Sequence, residues 1–170
     1  MRPGVMAMAA AGVLIGTSAA PAFAQPADTT PEAMAAHLAE VGNWRFATRA
    51  RDSKGQPVCT EIWRFAADGT AIVESGAERV TKRWRTAETD GDSWLYTTSL
   101  TTNGAPDCSG GASDPASFPR EESGFVLMFF NAGIALTCEP PAVVKGPDGK
   151  PAKFVSDESC WGTLAPLPKG

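Results

Sequence analysis

The sequence predicts an all-β protein: an antiparallel up-and-down barrel of about eight short strands, preceded by one short helix. Three observations carry this. Apolar and polar residues alternate with a period of two in segment after segment. Turn-forming Gly, Asp, Asn and Ser clusters interrupt them roughly every 8–12 residues. The connections between residues 42 and 101 are all short, and an uninterrupted run of hairpins closes most naturally on itself, whereas a sandwich usually carries Greek-key crossings. No alternation of strand and helix patterns and no internal repeat is present.

The chain begins with a leader. Met1-Arg2 gives a positive start, residues 5–15 are apolar, and Ala22-Phe23-Ala24 precedes Gln25 as an A-x-A cleavage signal. The apolar run falls short of the roughly 20 residues that span a bilayer. Residues 1–24 are therefore expected to be a signal peptide, and residues 25–170 a single domain with its core in 41–165, located in the periplasm or secreted. No cysteine lies near the cut, so lipid attachment there is not expected. The mature chain carries 14 Lys+Arg against 19 Asp+Glu. That acidic balance argues against a nucleic-acid partner and offers no polybasic membrane patch. No other apolar stretch is long enough to cross a membrane, and a monomer is expected.

Cys59, Cys108, Cys138 and Cys160 lack the C-x-x-C spacing of zinc ribbons and thioredoxin-type sites. In an oxidising compartment two disulfides are expected. Of the three possible connectivities, Cys59–Cys108 with Cys138–Cys160 is preferred because it closes two separate loops.

The elements follow in order. Thr30-Pro31 reads as a helix start, with Thr30 as the N-cap. Met34, Leu38 and Val41 share a face, Glu32, His37 and Glu40 lie elsewhere, and Gly42 ends the helix. Trp44, Phe46 and Thr48 then alternate with polar neighbours in a first strand. A turn at 52–55 leads to a strand over 58–66, and Asp68-Gly69 is read as a type I′ hairpin turn. Strands are expected over 70–74, 78–86 and 93–101, separated by Ser75-Gly76 and Asp90-Gly91-Asp92. Residues 103–122 form a long Gly-, Pro- and Ser-rich loop with Phe118 as its one large apolar residue, a length often functional inside a small domain. A continuous apolar strand over 124–130, a turn at 131–133 and a strand over 134–138 follow. A second loop spans 139–151, and 153–155 and 160–164 are the last strands.

Val41-Gly42-Asn43-Trp44, after a short helix, resembles the G-x-W motif that opens the first strand of lipocalins and related calycin barrels. The stretch from Trp63 through Asp68-Gly69-Thr70 resembles the W-x-F-x-x-D-G-T hairpin of lipocalin-like bacterial domains, and Trp84 and Cys160-Trp161-Gly162-Thr163-Leu164 fit the same style. The resemblance covers residues 41–164. It implies a lipocalin-like barrel holding a small apolar or amphipathic molecule, with Trp44 closing the barrel base.

Catalytic chemistry finds no foothold. His37 is the one histidine, reads as a surface residue and has no nucleophile beside it; no G-x-S-x-G elbow is present. A zinc site of the usual kind cannot be assembled, the turn aspartates lack calcium-loop spacing, and Glu121-Glu122 point to opposite faces if extended. The expectation is a non-enzyme without cofactor or metal. Trp44/Phe46, Trp84, Trp94/Tyr96 and Phe125/Phe129 are placed by alternation on one interior. Trp84, Trp94, Tyr96 and Phe125 are the candidate cavity walls, because amphipathic aromatics bind flat or greasy ligands, and Lys82 is the candidate contact for an anionic head group. Arg79, Arg83 and Arg85 share the opposite face, a solvated outer face or a dock for an acidic partner. The alternative function is inhibition of an exported protease or cell-wall lytic enzyme through loops such as 103–122; Gly42-Asn43-Trp44 followed by Cys59 also resembles the opening of metalloprotease-inhibitor barrels.

Overall fold

In the computed structural model, which describes residues 30–130, 133–145, 147–154 and 157–168, α1 (Pro31–Val41) starts where Thr30 Oγ1 accepts the Ala33 N–H at 3.2 Å. Pro31 occupies the first turn, where a missing N–H costs nothing. The expected signal peptide and most of the 131–133 turn lie outside the described residues.

The strands are β1 (Asn43–Thr48), β2 (Thr60–Phe65), β3 (Thr70–Ser75), β4 (Glu78–Thr89), β5 (Asp92–Thr102), β6 (Ser123–Phe129), β7 (Ala135–Cys138), β8 (Ala142–Lys145), β9 (Pro151–Phe154) and β10 (Cys160–Pro166). β1 through β7 form a meander, and β10 pairs with both β7 and β1 to close an eight-stranded antiparallel barrel. β8 and β9 pair only with each other. The 139–151 segment read as a loop thus contains β8. Its strand is exposed on every residue, with Val143 70 % accessible, so it carries no inside-outside alternation to announce it.

The type I′ turn sits elsewhere than expected. Among the described non-glycine residues only Asp90 has positive φ, at 54°, and Gly91 follows at 76°, so the two-residue Asp90-Gly91 loop satisfies both left-handed positions. At Asp68-Gly69 the loop is one residue longer. The Gly69 N–H donates to Ala66 O, the Ala66 N–H donates to Thr70 O, and only Gly69 is left-handed. Asp68 instead accepts the Thr70 N–H and hydroxyl at 2.9 and 2.6 Å.

Register separates inside from outside. Trp44 pairs with Trp63, Trp63 with Val73 and Val73 with Val80, so their side chains share the interior face. The barrel end nearest α1 is apolar. Met34, Leu38, Trp44, Leu95, Ala135 and Leu164 are fully buried there, and Phe65, Ala71, Trp84 and Leu127 nearly so. Trp44 closes this floor, its indole N–H donating to Leu38 O at 3.1 Å. His37, read as a surface residue, packs edge-on against Trp44 and Phe129, each with ring centroids 5.4 Å away. The helix pattern does not show this, because it depends on how α1 docks on Trp44 and on Phe129, the latter distant in the chain.

The opposite end is the mouth, and both disulfides sit there with the expected pairing. Cys138–Cys160 joins β7 to β10, and Cys59–Cys108 pins the 103–122 loop to the β1–β2 connection. Pro106 O also accepts the Ala77 and Glu78 N–H groups at 3.0 Å, so the loop lies against the rim.

Two outcomes follow. A Cβ at Gly162 would meet Phe46 Cε2 at 2.1 Å. Gly162→Ala is therefore expected to destabilise the barrel by about 1–3 kcal/mol, read as a lower denaturation midpoint, since an overpacked core must shift. Replacing Cys59 and Cys108 together by Ser removes a crosslink of sequence separation 49. It is expected to cost about 4 kcal/mol and to lose amide-exchange protection at Ala77 and Glu78 first.

Candidate functional site

The barrel interior changes character halfway along. Toward the mouth β2 contributes Glu61, β3 Ser75, β4 Glu78 and Lys82, β5 Thr97, Ser99 and Thr102, and β7 Thr137. Register places each of them on the same face as the aromatic core. Alternation explains why: Glu61, Trp63 and Phe65 share one parity on β2, as do Glu78, Val80, Lys82 and Trp84 on β4.

The polar groups form specific bonds. The Trp63 indole donates to Glu61 Oε2 at 2.6 Å, and the Thr102 hydroxyl donates to Glu78 Oε1 at 2.8 Å. Lys82 Nζ donates to Ser99 Oγ at 2.8 Å. Among the described residues no carboxylate comes within ion-pair distance of that ammonium, so two of its three N–H donors have no protein partner. Burial holds Lys82 below the ordinary lysine range, the Arg120 charge adds to this, and the nearby Glu61 and Glu78 charges offset part of it. Thr137 Oγ1 is buried and likewise has no partner among the described residues.

An aromatic group completes the mouth. Phe125 is met edge-on by Trp63 at 6.1 Å and by Trp161 at 5.5 Å, and Phe46 lies against Trp63 at 5.7 Å. Trp161 is at the β10 bulge between Cys160 and Gly162, where an extra residue re-aims a side chain. That turns its ring onto Phe125 while leaving it 41 % exposed. Strand alternation alone does not find Trp161, because the bulge breaks the period there. The parity of β2 and β4 does carry Glu61 and Glu78.

Of the five candidate ligand residues, Lys82 and Phe125 belong to this mouth. Trp84 is interior but packed: its N–H is shared by Ala66 O and Thr70 O, and Phe65 meets its ring at 5.2 Å. It braces the hairpin at the helix end, so its expected place in an open wall is corrected. Trp94 and Tyr96 are corrected more strongly, for they lie on the outer wall. The pairs Trp84↔Thr97 and Thr86↔Leu95 place Leu95 and Thr97 inside, leaving their neighbours outside. There the two rings stack at 5.7 Å, Tyr96 covers Gly124, and the Arg85 guanidinium lies 4.2 Å from the Tyr96 centroid. Glycine beneath an aromatic ring is a packing device of sheets.

The outer surface offers two large hollows. One, of about 710 Å³, lies between the start of α1, the β4–β5 turn and the end of β6. The other, of about 670 Å³, lies on the outer wall of β3–β5 beneath Pro119 and Arg120. At the rim, Cys59, Cys108 and Glu61 place three donor atoms within 4.8 Å of one another, but the two sulfurs are bonded to each other and have no thiolate to give a metal.

These features define a closed, disulfide-braced β-barrel with an amphipathic mouth. Comparison with protein-family models, characterised proteins and solved structures finds no match for the chain.

The Lys82 shift sets a pH dependence. The folded state holds this proton less tightly than the unfolded chain, so deprotonation relieves a burial cost that folding imposes. Stability is expected to rise as the pH climbs from the lowered folded value toward 10.5, the ordinary lysine value. Denaturant titration of the oxidised protein should show this rise relative to Lys82→Met, which lacks the titrating group.

Proposed function

We propose that this protein is an exported, non-catalytic, monomeric binding barrel, periplasmic or secreted, that holds a small amphipathic molecule in its mouth. One observation carries the reading. The half-exposed Trp161 ring stands on Phe125 in the same half of the interior where Lys82 uses one of its three donors. A flat apolar part would lie against the aromatic group, and an acceptor-bearing head would take the free Lys82 N–H bonds, worth about 1.5–3 kcal/mol for a charge-assisted contact. The packed floor of Trp44, Phe65, Trp84 and Leu95 supports a shallow site over a deep one, because an eight-stranded barrel is just wide enough for its own side chains. The resemblance of residues 41–164 to lipocalin-like barrels points the same way.

The test is native mass spectrometry of the oxidised, unheated protein, followed by fluorescence titration with 2-naphthoate, a flat ring bearing one carboxylate. Extra mass lost on denaturation, and naphthoate binding weakened about tenfold by Trp161→Ala and by Lys82→Met, are expected. A clean mass with no naphthoate binding, or binding indifferent to both substitutions, overturns the reading.

The second reading is a partner-binding barrel, such as an inhibitor of an exported protease or cell-wall lytic enzyme, that acts through residues 103–122. Rigidity of that loop favours it. Besides the disulfide, the Asp107 carboxylate accepts the Ser109 and Gly111 N–H groups at 2.8 and 2.9 Å and the Ser109 hydroxyl at 2.7 Å.

A further inference from the structure

The 670 Å³ hollow on the outer wall is lined by Arg83, Arg85, Thr98, Leu100, Pro119, Arg120 and the edges of the Asp68–Thr70 turn. Its charges are unevenly committed. Glu122 grips Arg85 through two bonds of 2.9 and 2.6 Å, a fork that holds the Glu122 carboxyl below its usual range and keeps it ionised. Asp68 is spent on its own turn, where the Thr70 hydroxyl and N–H hold its carboxyl low. Arg120 lies 4.7 Å from the Phe118 centroid and donates to Ser113 Oγ at 3.1 Å. Arg83 has no acidic partner among the described residues and is exposed.

We propose that this groove docks an extended segment of a partner protein carrying one acidic side chain beside an apolar one. The acid would pair with Arg83 and Arg120, whose planar guanidinium forks match a carboxylate. The apolar neighbour would lie on Leu100 and Pro119. Charge complementarity selects this occupant over a polyanion. Three arginines face the ionised Glu122 and Asp68, so a single carboxylate is attracted, whereas a dense run of phosphates meets both carboxylates as well. The cluster is also out of character for an acidic chain of net charge −4. The groove lies on the outer wall, separate from the mouth, and the inference does not rest on the ligand proposed there.

The experiment is selection of a random octapeptide display library on the oxidised full chain, then fluorescence polarisation with a labelled selected peptide. Expected are peptides with Asp or Glu next to a large apolar residue, binding that falls about tenfold or more in Arg83→Glu, and binding that weakens with salt. Arg83→Gln, which keeps size and loses charge, serves if the reversal does not fold. Selected peptides without an acid, or acidic peptides that bind Arg83→Glu and Arg83→Gln as well as the native protein, overturn the proposal. So does a short polyphosphate that binds more tightly than the peptide through Arg83.

Discussion

The pairing of β1 with β10 is the constraint on which the rest of this structure depends. Five residue pairs, from Trp44↔Pro166 to Thr48↔Gly162, join strands at opposite ends of the domain and leave the barrel without an open edge. Closure needs a close approach at one point, where Gly162 gives up its side chain to the Phe46 ring. Once β1 is held between β10 and β2, Trp44 is fixed at the floor. Its N–H then fixes the end of α1 through Leu38 O. A helix of 11 residues is too short to persist alone, so its stability is borrowed from Met34 and Leu38 in the barrel base.

Closure also divides the interior. Near α1 most inward positions are apolar and the rings pack as a core, while the Thr86 hydroxyl donates to Pro31 O at 2.8 Å. Toward the mouth Glu, Ser, Thr and Lys join apolar residues such as Val80 on the inward face, tied by Trp63–Glu61, Thr102–Glu78 and Lys82–Ser99 bonds. Buried polar groups of this kind are tolerated only where most find partners, and among the described residues Lys82 and Thr137 keep donors or acceptors to spare. The two disulfides brace this half, where polar side chains contribute less packing than the aromatic floor. The mouth is thus rigid at its rim and chemically unsaturated inside it.

Part of the candidate site was legible, and the misses have more than one cause. Period-two alternation states which residues of a strand share a face but not which face is inside. On β4 the two faces differ sharply, with Val80, Lys82 and Trp84 against three arginines, and the reading placed them as the structure does. On β5 the aromatic face, Trp94 and Tyr96, resembled an interior, yet Leu95 and Thr97 point inward because register with Trp84 and Thr86 requires it. The large rings are accommodated outside by Gly124 and Arg85, which come from neighbouring strands. Trp161 escaped for a different reason, since a bulge resets the alternation at the residue it inserts.

The sequence by itself determined the barrel class, the capped helix and the succession of hairpins, because these follow from local periodicity and turn chemistry; it preferred one of three cysteine pairings, and the structure made the choice. Only the tertiary structure decided which face of β5 is buried, that Trp84 is packed and Trp161 exposed, and that Arg83 and Arg120 line one groove. Those outcomes depend on register between strands and on contacts between residues far apart in the chain, which no local pattern encodes.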